Sequence, residues 1–245
     1  MNSARRLNIV MPMAGLGSRF RQAGFQVSKP LIDVRGRPMY AWAVESLPLE
    51  KSTRLIFILL ASQPEFPDLK RDIESRYAKH KPVVLTVPGP TAGQAITVLR
   101  AKEFINNGES LLIHNADTAF DVDHLWVERA VAEEVDGALL VFPSQEKRWS
   151  FSRDNPQGFV EEVREKEVIS SWATTGTYWF RRGADFVDAA AERFNSGRRE
   201  ASEFYVGPLY NDLIARGAKV KNYPIRRLYC FGTPEDLAAT LRELG

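Results

Sequence analysis

Short hydrophobic runs alternate with amphipathic stretches along the first part of the chain. The hydrophobic runs predict β-strands at residues 7–11, 54–60, 83–87, 110–114 and 137–142. The stretches between them carry apolar residues at helical spacing and predict helices at residues 39–46, 67–78, 91–104 and 122–135. Such alternation is typical of a parallel sheet with helices packed on both faces. The first half of the chain is therefore predicted to be α/β.

The pattern changes after about residue 143. Residues 151–171 mix charged residues with a β-like piece at 158–163, which predicts antiparallel additions to the sheet. The remaining elements are predicted as a strand, two helices, a strand and a closing helix at residues 174–180, 184–193, 206–215, 219–225 and 234–244. No repeat, low-complexity tract or linker divides the sequence. We predict one domain, residues 1–245, with halves of about 1–143 and 144–245. The predicted architecture is Rossmann-like, with a mixed, mostly parallel sheet and helices on both faces.

Composition excludes several classes of protein. The 33 basic and 31 acidic residues leave a net charge of only +2, so nothing attracts the chain as a whole to nucleic acid or to an anionic membrane. The single cysteine, Cys230, rules out an internal disulfide and a cysteine-rich zinc site, and it suits a reducing compartment. The longest aliphatic run, residues 55–61, is far shorter than the roughly 20 residues that span a bilayer. We expect a cytoplasmic protein with neither nucleic-acid nor membrane partners.

A glycine-containing segment follows the first predicted strand. Gly15 and Gly17 lie there, and ligands of open parallel sheets bind beyond the carboxyl ends of the strands. Glycine lets a phosphate approach backbone N–H groups closely. The segment lacks the Gly-Lys-Ser/Thr of a Walker loop, and Phe20 stands where a dinucleotide fingerprint needs its third glycine. The residues alone leave two interpretations open, a phosphate-binding loop or a tight turn into a helix.

The sequence Gly-Leu-Gly-Ser-Arg-Phe, followed after a polar spacer by Lys-Pro-Leu-Ile, resembles the signature of nucleotidyltransferases that activate sugar phosphates. Further motifs extend the resemblance from Pro12 to Leu237. It implies that Arg19 binds the β- and γ-phosphates of a nucleoside triphosphate and that Lys29 contacts the α-phosphate, which makes these two the candidate catalytic residues. It also implies a loop that wraps the nucleotide, formed by Ala14, Gly15, Leu16, Gly17 and Ser18.

Two later motifs continue the same resemblance. Residues 91–95, Thr-Ala-Gly-Gln-Ala, resemble the second nucleotide-binding stretch, and the amide of Gln94 is the candidate for reading the base. Asn115-Ala116-Asp117 ends a predicted strand where the family keeps its metal-binding aspartate. The resemblance therefore implies that Asn115 contacts the nucleotide and that Asp117 holds Mg²⁺, which one or two carboxylates plus substrate phosphates commonly bind. Taken alone, Asp117 is equally a turn or helix-cap residue.

Residues 163–180 resemble the acceptor-binding part of the family. Glu165 and Lys166 match its Glu-Lys pair, and Gly176 matches a Gly-x-Tyr strand. The resemblance implies that the glutamate binds sugar hydroxyl groups and that the lysine binds the acceptor's phosphate. The alternative is a charged hairpin with no role in binding.

One motif departs from the family pattern. In Tyr-Cys-Phe-Gly-Thr-Pro-Glu-Asp-Leu, Cys230 stands where the family has a second metal-binding aspartate, and a thiol is a poor ligand for Mg²⁺. Three explanations stay open: the metal is held by Asp117, phosphates and water, a carboxylate such as Glu203 substitutes, or catalysis has been lost. We favour the first.

The resemblance implies transfer of a nucleoside monophosphate from CTP, UTP or dTTP to a sugar phosphate or a similar phosphate monoester, with release of pyrophosphate. Residues 203–214 look most like members that act in surface-polysaccharide or lipid-headgroup activation. Two alternatives remain: a metal-dependent glycosyltransferase that uses Asp121-Val122-Asp123, and a non-catalytic nucleotide-binding paralogue. Family members often self-associate, so a homo-oligomer is also an expectation, although the sequence does not give the oligomeric state.

Overall fold

A computed structural model of the chain describes residues 6–50, 53–199 and 203–244. The strands within these residues are β1 (Leu7–Met13), β2 (Asp33–Val34), β3 (Arg37–Pro38), β4 (Arg54–Leu60), β5 (Val83–Val87), β6 (Ser110–His114), β7 (Thr118–Asp121), β8 (Gly137–Pro143), β9 (Ser150–Asp154), β10 (Val160–Glu165), β11 (Trp172–Phe180), β12 (Val220–Pro224) and β13 (Arg227–Cys230). The helices are α1 (Ser18–Gln22), α2 (Met39–Glu45), α3 (Phe66–Arg76), α4 (Gln94–Val98), α5 (Lys102–Ile105), α6 (Trp126–Ala132), α7 (Gly183–Ser196), α8 (Leu209–Ala215) and α9 (Pro234–Glu243).

Most of the strands join one large sheet. Its order is β5-β4-β1-β6-β11-β9-β10, and β8 and β12 extend it from β11. β1 runs parallel to β4 and β6, and only β10 and β11 among the described strands of this sheet run in the opposite direction. The prediction of a mixed, mostly parallel sheet with helices is confirmed. The proposed division into two halves near residue 143 stays a prediction.

Side chains that alternate along β1 supply the two faces of the sheet. Val10 faces a buried cluster that includes residues of α4, α7 and α8, whereas Ile9 faces a second cluster that includes residues of α2, α3 and α6. A smaller third cluster contains Phe20 of α1, Phe231 and Leu237 of α9. This third cluster packs the glycine-containing segment against the C-terminal part of the chain, although the two are far apart in sequence.

The structure corrects two helix predictions. The helix predicted at 91–104 is divided into α4, a short 3-10 turn and α5, and it cannot begin before Gln94 because Gly93 has a φ of +136°. The helix predicted at 122–135 spans only Trp126–Ala132, and Glu134 has a left-handed φ of +53°. Residues 118–121, just before the predicted helix, form β7, which pairs antiparallel with β13. That pairing joins segments more than 100 residues apart and has no local signal.

The antiparallel additions predicted for residues 151–171 are confirmed by β9 and β10, which pair antiparallel. The closing helix is confirmed as well. α9 has Pro234 in its first turn and Thr233 as its N-cap, with Asp236 completing a capping box. Among the residues that the structure describes, no helix is long and apolar enough to cross a membrane.

Candidate active site

Two adjoining cavities open at the carboxyl ends of β1 and β6. The first cavity, of about 730 Å³, is bordered by the loop after β1, the segment before α4 and the residues after β6. The second cavity, of about 430 Å³, is bordered by the ends of β9 and β10, by β11 and by the residues before α9. The residues that border both cavities, which we call the junction, are Lys29, Gln94, Asn115, Asp117 and Glu203.

The glycine loop, residues 14–18, borders the first cavity. Its members Ala14, Gly15, Leu16 and Gly17 line that cavity, whereas Ser18 lines neither. Gly17 has a left-handed φ of +61°, and a Cβ there would lie 3.1 Å from Cβ of Lys29. Glycine therefore permits both the turn and the close approach of the two segments.

Arg19 is exposed in α1 and lines the second cavity rather than the first. Its side chain therefore lies on the side of the second cavity in this structure. The role that the resemblance implies, binding the β- and γ-phosphates, stays a prediction for a nucleotide-bound state.

Lys29 and Asp117 form an ion pair at the junction. Lys29 Nζ donates to Asp117 Oδ2 at 2.5 Å and to the Gly232 carbonyl oxygen at 2.9 Å. Burial raises the pKa of the Asp117 carboxyl, but the charge and the hydrogen bond of Lys29 lower that pKa by more, so it lies below its usual range. The junction thus holds an ammonium group beside an ionised carboxylate, and both groups line both cavities.

Two glycines allow close approaches of neighbouring segments at or beside the junction. Gln94 Nε2 donates to Asn115 Oδ1 at 2.5 Å. Gly176 has a left-handed φ of +79° at an irregularity in the pairing of β11 with β8, and a Cβ there would collide with the Asn115 amide. A Cβ on Gly93 would lie 2.5 Å from the backbone N of Phe204. The structure therefore brings together Gln94, Asn115 and Gly176, which the sequence analysis assigned to different motifs.

The second cavity is lined by hydroxyl, carboxylate and basic groups. Glu165 accepts a hydrogen bond from Ser150, and Lys166 Nζ donates to the Tyr205 hydroxyl at 2.9 Å. Both predicted acceptor-binding side chains line the cavity, as Gly176 does. Their position favours the binding interpretation over the solvated hairpin.

Arg148 also lines the second cavity, and the sequence motifs did not include it. Its Nη1 contacts both carboxylate oxygens of Asp236 at 2.7 Å, which ties the loop before β9 to the first turn of α9. Arg148 also lies over the ring of Trp149, 4.6 Å from its centroid. No local sequence signal marks this ion pair, because it joins positions 88 residues apart.

Cys230 lies next to Asp117 across the β7–β13 ladder. It pairs with Thr118, and Phe231 N donates to the Asp117 carbonyl oxygen at 2.9 Å. Burial raises the pKa of the Cys230 thiol to about 12, and the charges of Asp236 and Asp117 also raise it, so the thiol is neutral. Within the described part of the chain, no three or more His, Cys, Asp or Glu side chains cluster in a way that could hold a metal ion. The donor set therefore fits a hard cation only when phosphate oxygens complete it around Asp117.

A family model described as Nucleotidyl transferase matches residues 8–219. The chain belongs to the nucleotidyl transferase family. A search of curated protein sequences found no match.

Solved structures agree with the fold of this nucleotidyltransferase. A nucleoside-diphosphate-sugar pyrophosphorylase from Vibrio cholerae RC9 is 28% identical with a TM-score of 0.83, over 96% of this chain and 99% of that one. A putative glucose-1-phosphate thymidylyltransferase from Bacillus anthracis, solved in complex with a sucrose, is 20% identical with a TM-score of 0.77, over 97% and 94%. A UDP-glucose pyrophosphorylase complexed with UDP-glucose is 14% identical with a TM-score of 0.77, over 98% of both chains. The last two show likeness of fold.

The Asp-x-Asp motif considered for a glycosyltransferase lies away from the site of the nucleotidyltransferase. Asp123 forms an ion pair with Arg129, and Asp121 lies 4.0 Å from Arg226. Neither aspartate lines the two cavities. Their partners are those of ordinary surface ion pairs, which counts against a metal-binding role for this motif.

His114 ties the strand that leads to Asp117 to its neighbours. The buried ring lies 2.8 Å through Nδ1 from the Thr177 hydroxyl and 2.8 Å through Nε2 from the Thr118 carbonyl oxygen. Since a carbonyl only accepts, Nε2 carries the proton and Nδ1 accepts from Thr177. Burial lowers the pKa of His114 to about 4, although the Thr118 carbonyl and the Asp117 charge act in the other direction.

This shift predicts a pH dependence of stability. The pKa of His114 is about 4 in the folded protein and returns to its ordinary value of 6.5 on unfolding, so its contribution is complete above pH 6.5 and is lost as the pH falls towards 4. Between pH 7 and pH 5 we expect it to remove about 2 kcal/mol from the free energy of unfolding. Chemical denaturation across this range should show a smaller loss for His114→Gln than for the wild type. Equal losses in the two proteins would contradict the assignment.

Proposed function

We propose that this nucleotidyltransferase transfers a nucleoside monophosphate from an NTP to a sugar phosphate or a similar phosphate monoester and releases pyrophosphate. The observation that carries the proposal is that two cavities meet at Lys29 and Asp117. We assign the first cavity, with its glycine loop, to the nucleotide and the second cavity to the acceptor. In this arrangement the α-phosphate lies at the junction, where the acceptor can reach it.

The reaction requires little from the protein beyond position and charge. A phosphate oxygen of the acceptor attacks the α-phosphorus, the bond from that phosphorus to the α–β bridging oxygen breaks, and pyrophosphate leaves with the electron pair. The attacking phosphate is already ionised, so no protein base is needed. In the proposed mechanism, Lys29 offsets charge on the α-phosphate. Arg19 lines the second cavity in the ligand-free protein, and it would turn towards the leaving pyrophosphate to offset its charge once the nucleotide is bound.

Nucleotidyltransferases of this family generally use a divalent metal, and we propose Mg²⁺ for this chain. Asp117 is the residue that would hold it, and its contribution when bound would be to neutralise phosphate charge. The Cys230 thiol is neutral and soft, which makes it a poor partner for Mg²⁺. Glu203 borders both cavities and is the other carboxylate within the junction. The proposed metal is therefore held chiefly by Asp117 and by the nucleotide's own phosphates.

Cys230→Asp is expected to strengthen metal binding by the nucleotide-free protein. The substitution sets a second hard carboxylate beside Asp117, in place of a neutral thiol. We expect the affinity for Mn²⁺, measured by electron paramagnetic resonance of the free ion, to rise by about tenfold or more. Cys230→Ser is the matched control and should bind Mn²⁺ as the wild type does. Unchanged affinity in Cys230→Asp would show that this position does not face the metal.

The lining of the second cavity supports a hydroxylated phosphate as the acceptor. Glu165 and Ser150 offer groups for hydroxyls, while Lys166 offers an ammonium group for phosphate. We propose that Gln94 and Asn115 contact the nucleotide and that Gln94 reads the base, with CTP, UTP and dTTP as the candidates. Action in surface-polysaccharide or headgroup activation, a cytoplasmic location and a homo-oligomer remain predictions.

A substrate screen tests the proposal. CTP, UTP, dTTP and ATP are each incubated with Mg²⁺ and a panel of sugar phosphates and aminoalcohol phosphates, and pyrophosphate release is measured. We expect release from one NTP that depends on an added acceptor. Release of a nucleoside diphosphate from nucleotide sugars, with none of pyrophosphate, would overturn the proposal in favour of a glycosyltransferase. Nucleotide binding without exchange of label between pyrophosphate and NTP, in the presence of every acceptor, would favour the non-catalytic paralogue.

A further inference from the structure

We infer that Gln63, a residue outside both cavities, orients a peptide group of the glycine loop towards the phosphates. This inference rests on the proposed function, because it assigns the first cavity to a triphosphate. Gln63 follows β4 and is 8% exposed. Its Nε2 donates to the Gly15 carbonyl oxygen at 2.9 Å. Gln63 does not line the first cavity, whereas Gly15 and Leu16 do.

The hydrogen bond to the Gly15 carbonyl also sets the direction of the Leu16 N–H. A trans peptide group is planar, so its C=O and N–H bonds point in opposite directions. The carbonyl of Gly15 and the N–H of Leu16 belong to the same peptide group. When Gln63 holds the carbonyl on the side of β4, the N–H of Leu16 points away from Gln63. Gly15 and Leu16 line the first cavity and Gln63 does not, so we assign the direction away from Gln63 to that cavity.

Among the described residues, no other hydrogen bond holds this peptide group. The Leu16 N–H has no hydrogen-bond partner within the described ranges, and the Leu16 residue is 55% exposed. A Cβ on Gly15 would have no atom within 4 Å, so no neighbour crowds that side of the residue. Glycine permits rotations of the peptide group that other residues resist. Without Gln63, the carbonyl and the N–H are expected to exchange sides, which would present an oxygen to an anion.

The loop that carries Gln63 is itself anchored. Gln63 N donates to the Leu60 carbonyl oxygen at 3.3 Å, and the Gln63 carbonyl oxygen accepts from Phe66 N at 3.0 Å. Glu65 lies 3.5 Å from Arg21 of α1, so the same loop also contacts the helix that follows the glycine loop. The Gln63 amide is therefore attached to a fixed backbone, as a positioning residue must be.

Binding of inorganic tripolyphosphate tests the inference without a choice of base. Gln63→Met keeps the length of the side chain and removes the donor. We expect isothermal titration calorimetry to show that the dissociation constant of tripolyphosphate rises by about tenfold or more, which is the change that loss of one hydrogen bond to a charged group produces. Gln26→Met is the matched control, because Gln26 Nε2 donates to the Gly24 carbonyl oxygen at 3.0 Å on the exposed surface, away from the cavity. It should bind tripolyphosphate as the wild type does.

A double-mutant cycle separates orientation from a general effect on folding. Leu16→Pro removes the N–H in question, and Gln63→Met should then weaken binding by less than about twofold in that background. An equal loss in both backgrounds, or wild-type affinity in Gln63→Met, would overturn the inference. The proposed function fails separately, if the wild type neither binds tripolyphosphate nor releases pyrophosphate from any NTP.

Discussion

Lys29→Ala is expected to lower turnover by about 100-fold or more while the protein keeps its fold. Lys29 is the cation at the junction of the two cavities, and it reaches Asp117 and the Gly232 carbonyl oxygen at once. Loss of one preorganised group that stabilises developing charge costs on the order of 10²-fold in rate. The measurement is kcat for pyrophosphate release with the NTP and acceptor that the screen identifies.

The same variant should remain folded. The Lys29 side chain is 19% exposed and that of Asp117 is 31% exposed, so the pair is partly hydrated. Its removal is expected to cost about 1 kcal/mol of the free energy of unfolding. Lys70→Ala, which removes an exposed lysine paired with Glu74 on α3, is the control and should leave kcat unchanged. Wild-type turnover in Lys29→Ala would show that Lys29 has no part in the reaction.

The large sheet was the most predictable part of the fold. The strands predicted at residues 54–60, 83–87 and 110–114 agree with β4, β5 and β6. β4 and β6 are almost wholly buried, and buried parallel strands consist of near-continuous aliphatic residues, which makes them easy to recognise in a sequence. The short ladder of β7 and β13 was not predicted, since its two strands contribute four residues each and meet only through the tertiary fold. Periodicity reports which residues are buried, but it does not report which distant segment buries them.

In the candidate site too, some residues could be predicted from the sequence and others could not. Gly17 and Asp117 follow β1 and β6, and Lys29 lies in the segment after α1. The motifs predicted these three residues for one site, and all three line the first cavity. The contacts that support them were not predictable, because they join distant positions through single side chains. Arg148 with Asp236 is one example, and Gln63 with the Gly15 carbonyl is another. Short motifs therefore identify the groups that would meet the substrates, whereas only the folded chain identifies the groups that hold them in place.

The charges at the junction suit two anionic substrates that must meet. Lys29 is already paired with Asp117, so an arriving α-phosphate competes with that carboxylate for the same ammonium group. A divalent cation brought with the nucleotide would give Asp117 a second partner and leave Lys29 available to the phosphate. Under the proposed function, the ion pair of the ligand-free protein therefore exchanges partners when the nucleotide binds.

Gly176→Ala is expected to impair both stability and nucleotide binding. Gly176 has a φ of +79°, where a residue with a Cβ costs roughly 1–2 kcal/mol. The added methyl group also collides with the Asn115 amide, whose oxygen accepts from Gln94 at 2.5 Å. Asn115 must then move, and Gln94 loses its partner at the junction. We expect the free energy of unfolding to fall by about 1–3 kcal/mol and the KM for the NTP to rise by about tenfold.

Gly158→Ala isolates the backbone part of this effect. Gly158 has a φ of +80°, almost the same as that of Gly176, but a Cβ there would meet no atom within 4 Å. It lies in the turn between β9 and β10, and it lines neither cavity. Gly158→Ala should therefore lose about 1 kcal/mol of stability through strain alone and keep the wild-type KM. The added methyl group of Gly176→Ala must displace the Asn115 amide, because it would lie 2.0 Å from Asn115 Nδ2. If this variant nevertheless kept the wild-type KM, the Asn115–Gln94 pair would have no part in nucleotide binding.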